Sequence, residues 1–176
     1  MSSKFSKHPN HCWMPCAFPI PEPPKPEIQS AFRAVRNATN PNITIPANTS
    51  IQVLYPNEQY DLRNEYNTLT STFIPATKGV YSIIASVEFI VTPPPTTPTD
   101  YRVLISILVN NIAVAIDNDF FNTRLGNNNI ASVSTNIQLN AGDQVQIFVT
   151  STIAGSIDSD PSSTHFEATR FPSPTI

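Results

Sequence analysis

An all-β sandwich of about ten antiparallel strands is the fold class predicted for this chain of 176 residues, and three observations predict it. From Tyr81 the odd positions Tyr81, Ile83, Ala85, Val87, Phe89 and Val91 are all apolar. The even positions Val80, Ser82, Ile84, Ser86, Glu88 and Ile90 are mixed, and this period of two is that of a strand with one face in a core. Further apolar runs follow at short spacings, separated by Asn, Gly and Pro turn signals. No segment carries the helical period, and short strands without helices indicate a sandwich.

In chain order, residues 1–28 come first, as a disordered Pro-rich N-terminal tail. Pro9, Pro15, Pro19, Pro21, Pro23, Pro24 and Pro26 lie too close together for a helix or a central strand. The run Pro19-Ile20-Pro21-Glu22-Pro23-Pro24-Lys25-Pro26 reads as a polyproline II spacer of roughly 20–30 Å. The domain itself is expected over 29–176. Strands are expected near 30–37, 49–55, 68–74, 79–91, 101–109, 112–117, 129–139, 143–152 and 163–171. Asn110-Asn111 separates two of these runs, and Asn tolerates the positive φ of a tight hairpin. Thr92 to Asp100, with Pro93, Pro94, Pro95 and Pro98, reads as an exposed loop.

Composition removes several function classes. Only 13% of residues are charged, about half the usual roughly 25%, and the net charge of −3 comes without a basic cluster. Nucleic acid is therefore not an expected partner. No apolar run approaches the roughly 20 residues that span a bilayer, so membrane insertion is not expected either. Lys4 and Lys7 are not followed by the apolar region of a secretory signal. A polar, weakly charged β domain nonetheless suits an outer surface, which implies delivery by another route.

The order of short motifs selects among sandwiches. Five residues separate Phe73 from Gly79-Val80-Tyr81, and Val53-Leu54 precedes Asn57-Glu58-Gln59-Tyr60-Asp61. Ala31-Phe32 opens the domain, Leu139 and Val145 flank Asn140-Ala141-Gly142-Asp143, and Ser163-Thr164-His165-Phe166-Glu167-Ala168 closes it. This pattern, over roughly residues 30–171, resembles the C1q/TNF-like jelly-roll family. The resemblance implies a jelly roll, a homotrimer, and a binding or surface module rather than an enzyme. The family includes bacterial members such as the C1q-like heads of spore exosporium filaments. The chain has four Gly, none of them in the tail, so the proline spacer stands where many members carry a collagen stalk. The expected setting is a bacterial spore surface or surface fibre, reached from the mother-cell cytoplasm without a secretory signal. A spore-layer or fibre protein is the expected partner of the tail.

Leu104 and Leu108 fall on the face of their strand opposite Tyr101, Val103, Ile105, Ile107 and Val109, hence away from the core. Ile84, Ile90 and Phe148 are placed the same way. Scattered exposed apolar residues are ordinary, whereas the resemblance makes these five the threefold interface, so that Leu104→Asp would abolish the trimer. In the tail, His8, His11, Cys12 and Cys16 can in principle complete a tetrahedral zinc site. They lie on a short proline-stiffened stretch, and the readings preferred over metal are disulfides between chains or to a partner, or a Cys12–Cys16 bridge. Cys12 and Cys16 are thus assigned to attachment, with Trp13 as an apolar anchor beside them. His165 with Ser163, Thr164 and Glu167 offers the elements of a nucleophilic site, but no nucleophile elbow accompanies them. An edge or interface role is the preferred reading of His165. Asp117/Asp119 and Asp158/Asp160 are carboxylate pairs of the kind that bind calcium and equally of the kind found in polar loops. Asn37, Asn42 and Asn48 stand in glycosylation sequons that a chain rich in Asn, Ser and Thr produces by chance. No metal, cofactor or catalytic residue is assigned. The alternative function is a ligand- or receptor-binding module, lectin-like or the tip of a phage fibre.

Overall fold

The computed structural model describes residues 29–172, and the tail over 1–28, with Cys12, Trp13 and Cys16, lies outside them. The strands are β1 (Ala31–Val35), β2 (Ile43–Ile45), β3 (Ile51–Gln52), β4 (Asn57–Asp61), β5 (Tyr66–Asn67), β6 (Thr72–Phe73) and β7 (Gly79–Val91). They continue as β8 (Asp100–Val109), β9 (Ile112–Asn122), β10 (Asn128–Leu139), β11 (Val145–Ser151), β12 (Gly155–Ile157) and β13 (His165–Arg170), with a single 3₁₀ turn at Thr123–Leu125. Two antiparallel sheets result, curled against one another as a jelly roll. Sheet I runs β2-β12-β7-β13-β1-β4 with β10 on β7, and sheet II runs β5-β6-β11-β8-β9 with β3 on β11.

β7 is the spine. Along one edge it pairs with β10 from Gly79↔Leu139 to Ile90↔Asn128, and along the other with β13 and then β12. Its odd positions are buried, as the period of two requires, and meet Tyr101, Val103, Ile105 and Ile107 of β8 across the core. The core is aromatic at one end. Phe32 stacks on Tyr66 at 4.5 Å and on Phe73 at 4.9 Å, and meets Phe166 edge-on at 4.9 Å. Each such ring, fully buried, stabilises by about 1.5–3 kcal/mol through removal of apolar surface from water. Gly155 is where β12 crosses closest to β7: a Cβ there would lie 2.3 Å from the Phe89 ring.

Several expectations are adjusted. β2, β4, β5 and β12 fall outside the expected runs, and β3 and β6 are each two residues where runs of seven, 49–55 and 68–74, are expected. β9 extends to Asn122 instead of ending at 117, so the residues read as its trailing loop are strand. Asn110-Asn111 does form the β8–β9 turn, with φ of 52° and 66°. The Asn140–Asp143 segment is a turn as expected, but not a hairpin: it carries the chain from β10 in sheet I to β11 in sheet II. Gly142 supplies the positive φ of 87°, and the Asp143 carboxylate accepts the Asn140 N–H at 2.7 Å.

Candidate self-association surface

The five residues expected at a subunit contact are not on one surface. Ile84 and Ile90 project from the outer face of sheet I, because the odd positions of β7 fill the core. Leu104, Leu108 and Phe148 project from the outer face of sheet II, since Val103, Ile105 and Ile107 of β8 and Val145, Ile147 and Val149 of β11 are buried. Phe148 lies opposite Ser106, between Leu104 and Leu108 on the neighbouring strand, so these three form one cluster, half-buried. The structure thus separates the set into a pair and a trio on opposite sides of the sandwich.

On the sheet I face, one row runs Tyr60–Arg33–Glu167–Ile84–Ser134 across four strand pairings. Arg33 and Glu167 form a half-exposed ion pair within that row. Ile84 is 37% exposed, and Val80 and Ile130 stand with it among Ser82, Ser132, Ser134 and Asn136. Where this face meets the open edge of the sandwich, β9 and β10 approach without pairing. A groove of about 420 Å³ opens there, lined by Ile84, Ala115, Ile116, Asp117, Ser132 and Ser134 among others. Ile116 is 57% exposed at its rim. Asp119 points toward the interior from the same edge strand, and its carboxyl is held above its ordinary value by burial and then by the neighbouring Asp117. Inward-pointing charge on an edge strand also blocks pairing with a further strand there. Sequence reasoning missed Ile130 because it is a lone apolar residue on a polar face, and Ile116 because only the fold brings its edge strand alongside β10.

His165 lies in β13, flanked by β1 and β7, so it is not at a sheet edge. The Ser86 hydroxyl donates to the Ser163 carbonyl at 2.6 Å and lies 2.9 Å from His165 Nδ1. With the hydroxyl proton committed to Ser163, Nδ1 donates its own to the Ser86 oxygen. Ser163 Oγ donates to Glu88 at 2.7 Å rather than to His165, and Glu167 is engaged by Arg33. The serine, histidine and acid noted in the sequence are therefore not assembled to activate a nucleophile. Burial lowers the His165 pKa, the Arg33 charge lowers it further, and Glu167 opposes both.

The Asp160 carboxylate is spent on its own turn, accepting the Ser162 N–H at 2.8 Å and hydroxyl at 2.7 Å. Among the described residues no three His, Cys, Asp or Glu side chains converge as metal ligands, and no helix is long and apolar enough to cross a membrane.

Solved structures share this architecture. A crystal structure of murine APRIL at pH 5.0 matches with a TM-score of 0.59 at 10% identity, covering 81% of this chain and 99% of that one. Murine APRIL at pH 8.5 gives 0.54 at 11% identity, with the same coverage of 81% and 99%. Eiger, a TNF from S. frugiperda, gives 0.57 at 11% identity over 85% of this chain and 99% of that one. The fold is a TNF-like jelly roll. The likeness is one of fold and not of sequence, and neither a family model nor a curated protein matches the chain. The motif order around Phe73, Gly79 and Tyr81 thus led to the right architecture: Phe73 and Tyr81 meet in the core at 5.6 Å.

Proposed function

We propose that this chain is a non-enzymatic homotrimeric head, displayed on a bacterial spore surface or surface fibre and attached through its N-terminal tail. The observation that carries the self-association is the sheet I face with its β9–β10 groove. Apolar Ile84, Val80 and Ile130 lie there among Ser82, Ser132, Ser134 and Asn136, Arg33 and Glu167 neutralise one another, and Glu88 opposite Ile130 accepts hydrogen bonds from Ser163 and Asn128. In a cyclic trimer each copy uses two different patches, and the ring closes only if those patches are inclined to one another. Patches on opposite faces propagate a stack instead. The sheet I face and the adjoining β9–β10 edge are taken as those two patches, whereas the Ile84 pair and the Leu104 trio lie on opposite faces of the sandwich. The contact is therefore assigned to Ile84, Ile90 and Ile130 on the sheet I face and to the β9–β10 groove. The groove's rim residue Ile116 pairs with Ser106 on the outer face of sheet II. Leu104, Leu108 and Phe148 lie on that outer face and are left outside the contact.

Two single substitutions test this. Ile84→Asp buries a carboxylate without a partner, a cost of roughly 2–5 kcal/mol at each contact. It should reduce the mass measured by light scattering from three chains to one. Leu104→Asp should leave that mass unchanged. The opposite pattern would return the contact to sheet II. The tail supports the attachment reading, since it combines a stiff proline spacer with two thiols and a Trp. Gold-labelled antibody to the head should decorate intact spores, and labelling confined to the cell interior would remove the surface assignment.

A further inference from the structure

The end of the sandwich remote from Ser30, where the domain begins, carries a second surface outside the proposed self-contact. The domain enters at Ser30, whose carbonyl accepts the Arg170 N–H at 2.9 Å beside the start of β7. Asn128 pairs with Ile90 and the Asn127 carbonyl accepts the Val91 N–H at 2.9 Å, so the 3₁₀ turn at Thr123–Leu125 lies by the other end of β7. Ten residues of strand, about 33 Å, separate the two ends.

There β9 presents Phe120 outward, 76% exposed, and Phe121 inward. Phe120 stands as a ridge between two shallow clefts of about 410 and 480 Å³. One is lined by Asp100, Tyr101, Arg102 and Thr152, the other by Asp100, Phe121, Asn122, Leu125 and Asn129. The frame beneath is fixed: Phe89, Tyr101 and Phe121 pack in series at 5.9 and 5.5 Å, and Asn129 donates to the Tyr101 hydroxyl. Asn122 donates to Asp100 at 2.5 Å, and the two line one cleft together. Arg102 is engaged through its main-chain N–H, by Thr152 Oγ1, and its guanidinium has no hydrogen-bond or ion-pair partner among the described residues.

We infer that this ridge and its two clefts are a binding site for a neutral oligosaccharide. A pyranose ring presents a patch of polarised C–H groups on one side and hydroxyls around its edge. The negative face of an exposed phenyl ring meets the first. Planar groups that donate and accept in pairs meet the second, and Asp100, Asn122, Asn129 and Arg102 supply carboxylate, amide and guanidinium. Other ligands fit less well. A phosphate backbone requires a basic cluster, and here Arg102 is offset by Asp100. A protein contact built on an aromatic anchor places that anchor in a desolvated centre, whereas Phe120 is 76% exposed and its clefts are edged by Asp100, Arg102, Asn122 and Asn129. Because Phe120 divides two clefts that share Asp100, the site accommodates two consecutive sugar units, one on either side. One protomer builds it, so the inference does not depend on the trimer.

The test is an array of neutral hexose, N-acetylhexosamine and deoxyhexose oligosaccharides, probed with the full-length protein and with Phe120→Ala and Asn122→Ala variants. Binding to at least one of these classes is expected, weakened about tenfold or more in each variant. Light scattering on the same preparations should show unchanged mass, which separates loss of this site from loss of self-association. Absence of binding to every class would overturn the inference, as would binding that survives Phe120→Ala. A fall in mass on Phe120→Ala would give the ridge to a contact between copies instead.

Discussion

At the residue scale the most informative side chain is His165, because its surroundings favour the neutral imidazole. Desolvation and the Arg33 guanidinium lower its pKa from the ordinary 6.5, against the opposing pull of Glu167. The unfolded chain therefore takes up a proton at a higher pH than the native one. Below about pH 6.5 the unfolded state binds more protons, and stability falls with pH until the native pKa has also been passed. Thermal unfolding followed from about pH 7.5 to 5.5 should show a steeper fall in Tm for the wild type than for His165→Gln, which has no group to titrate. Parallel curves would mean that His165 carries no such linkage. Nothing in the sequence disclosed this environment. Ser86, the hydrogen-bond partner, is 79 residues away along the chain, and only the β7–β13 register brings the two together.

Elements were legible in proportion to their length and to how much of their burial is their own. β7 and β10 expose alternate residues over thirteen and twelve positions, and their period is visible without any partner. β12 is three residues long and exists because β7 and β2 flank it, so no local pattern announces it. The end of β9 was lost for a related reason. Asp117, Asn118, Asp119 and Asn122 read as loop residues, yet pairing with β8 holds them extended to Asp100↔Asn122. That error concealed the outward Phe120, and with it the clefts it divides. The candidate contact surface was only half legible, since alternation shows that a residue leaves the core but not which of two sheets it leaves from. The β8–β9 turn shows the same limit and supports a prediction. Asn110 and Asn111 look equivalent in sequence, and both take positive φ. Asn110 also donates to Asp143 at 2.9 Å and accepts the Gln144 N–H at 2.9 Å, tying this hairpin to the turn between the sheets. Asn111→Gly should be neutral or slightly stabilising, because Gly enters that conformation without strain. Asn110→Gly should cost about 1–2 kcal/mol in urea unfolding through the lost side-chain bonds. Equal effects would mean that Asn110 acts through backbone conformation alone.

At the scale of the whole molecule, the start of the domain at Ser30 and the clefts around Phe120 sit at opposite ends of β7, and the proposed self-contact lies along the side between them. Three copies associated through the sheet I face would release three tails from one end of the assembly, since each domain begins at Ser30 beside the Glu65 carboxylate that its hydroxyl binds. In such an assembly the three copies of Cys12 and Cys16 would be held at high local concentration. Whether they join chains or close on themselves is decided by mass. Under reductant the full-length protein should scatter as three chains. After mild oxidation it should either keep that mass with its chains covalently linked, seen in denaturing electrophoresis without reductant, or grow into larger assemblies through links between trimers. The double variant Cys12→Ser, Cys16→Ser should scatter as three chains in both conditions and run as single chains when denatured. Oxidised wild type that also runs as single chains would remove the crosslinking role and leave the Cys12–Cys16 bridge. A reduced protein with the mass of one chain would instead remove the self-association on which the displayed head depends.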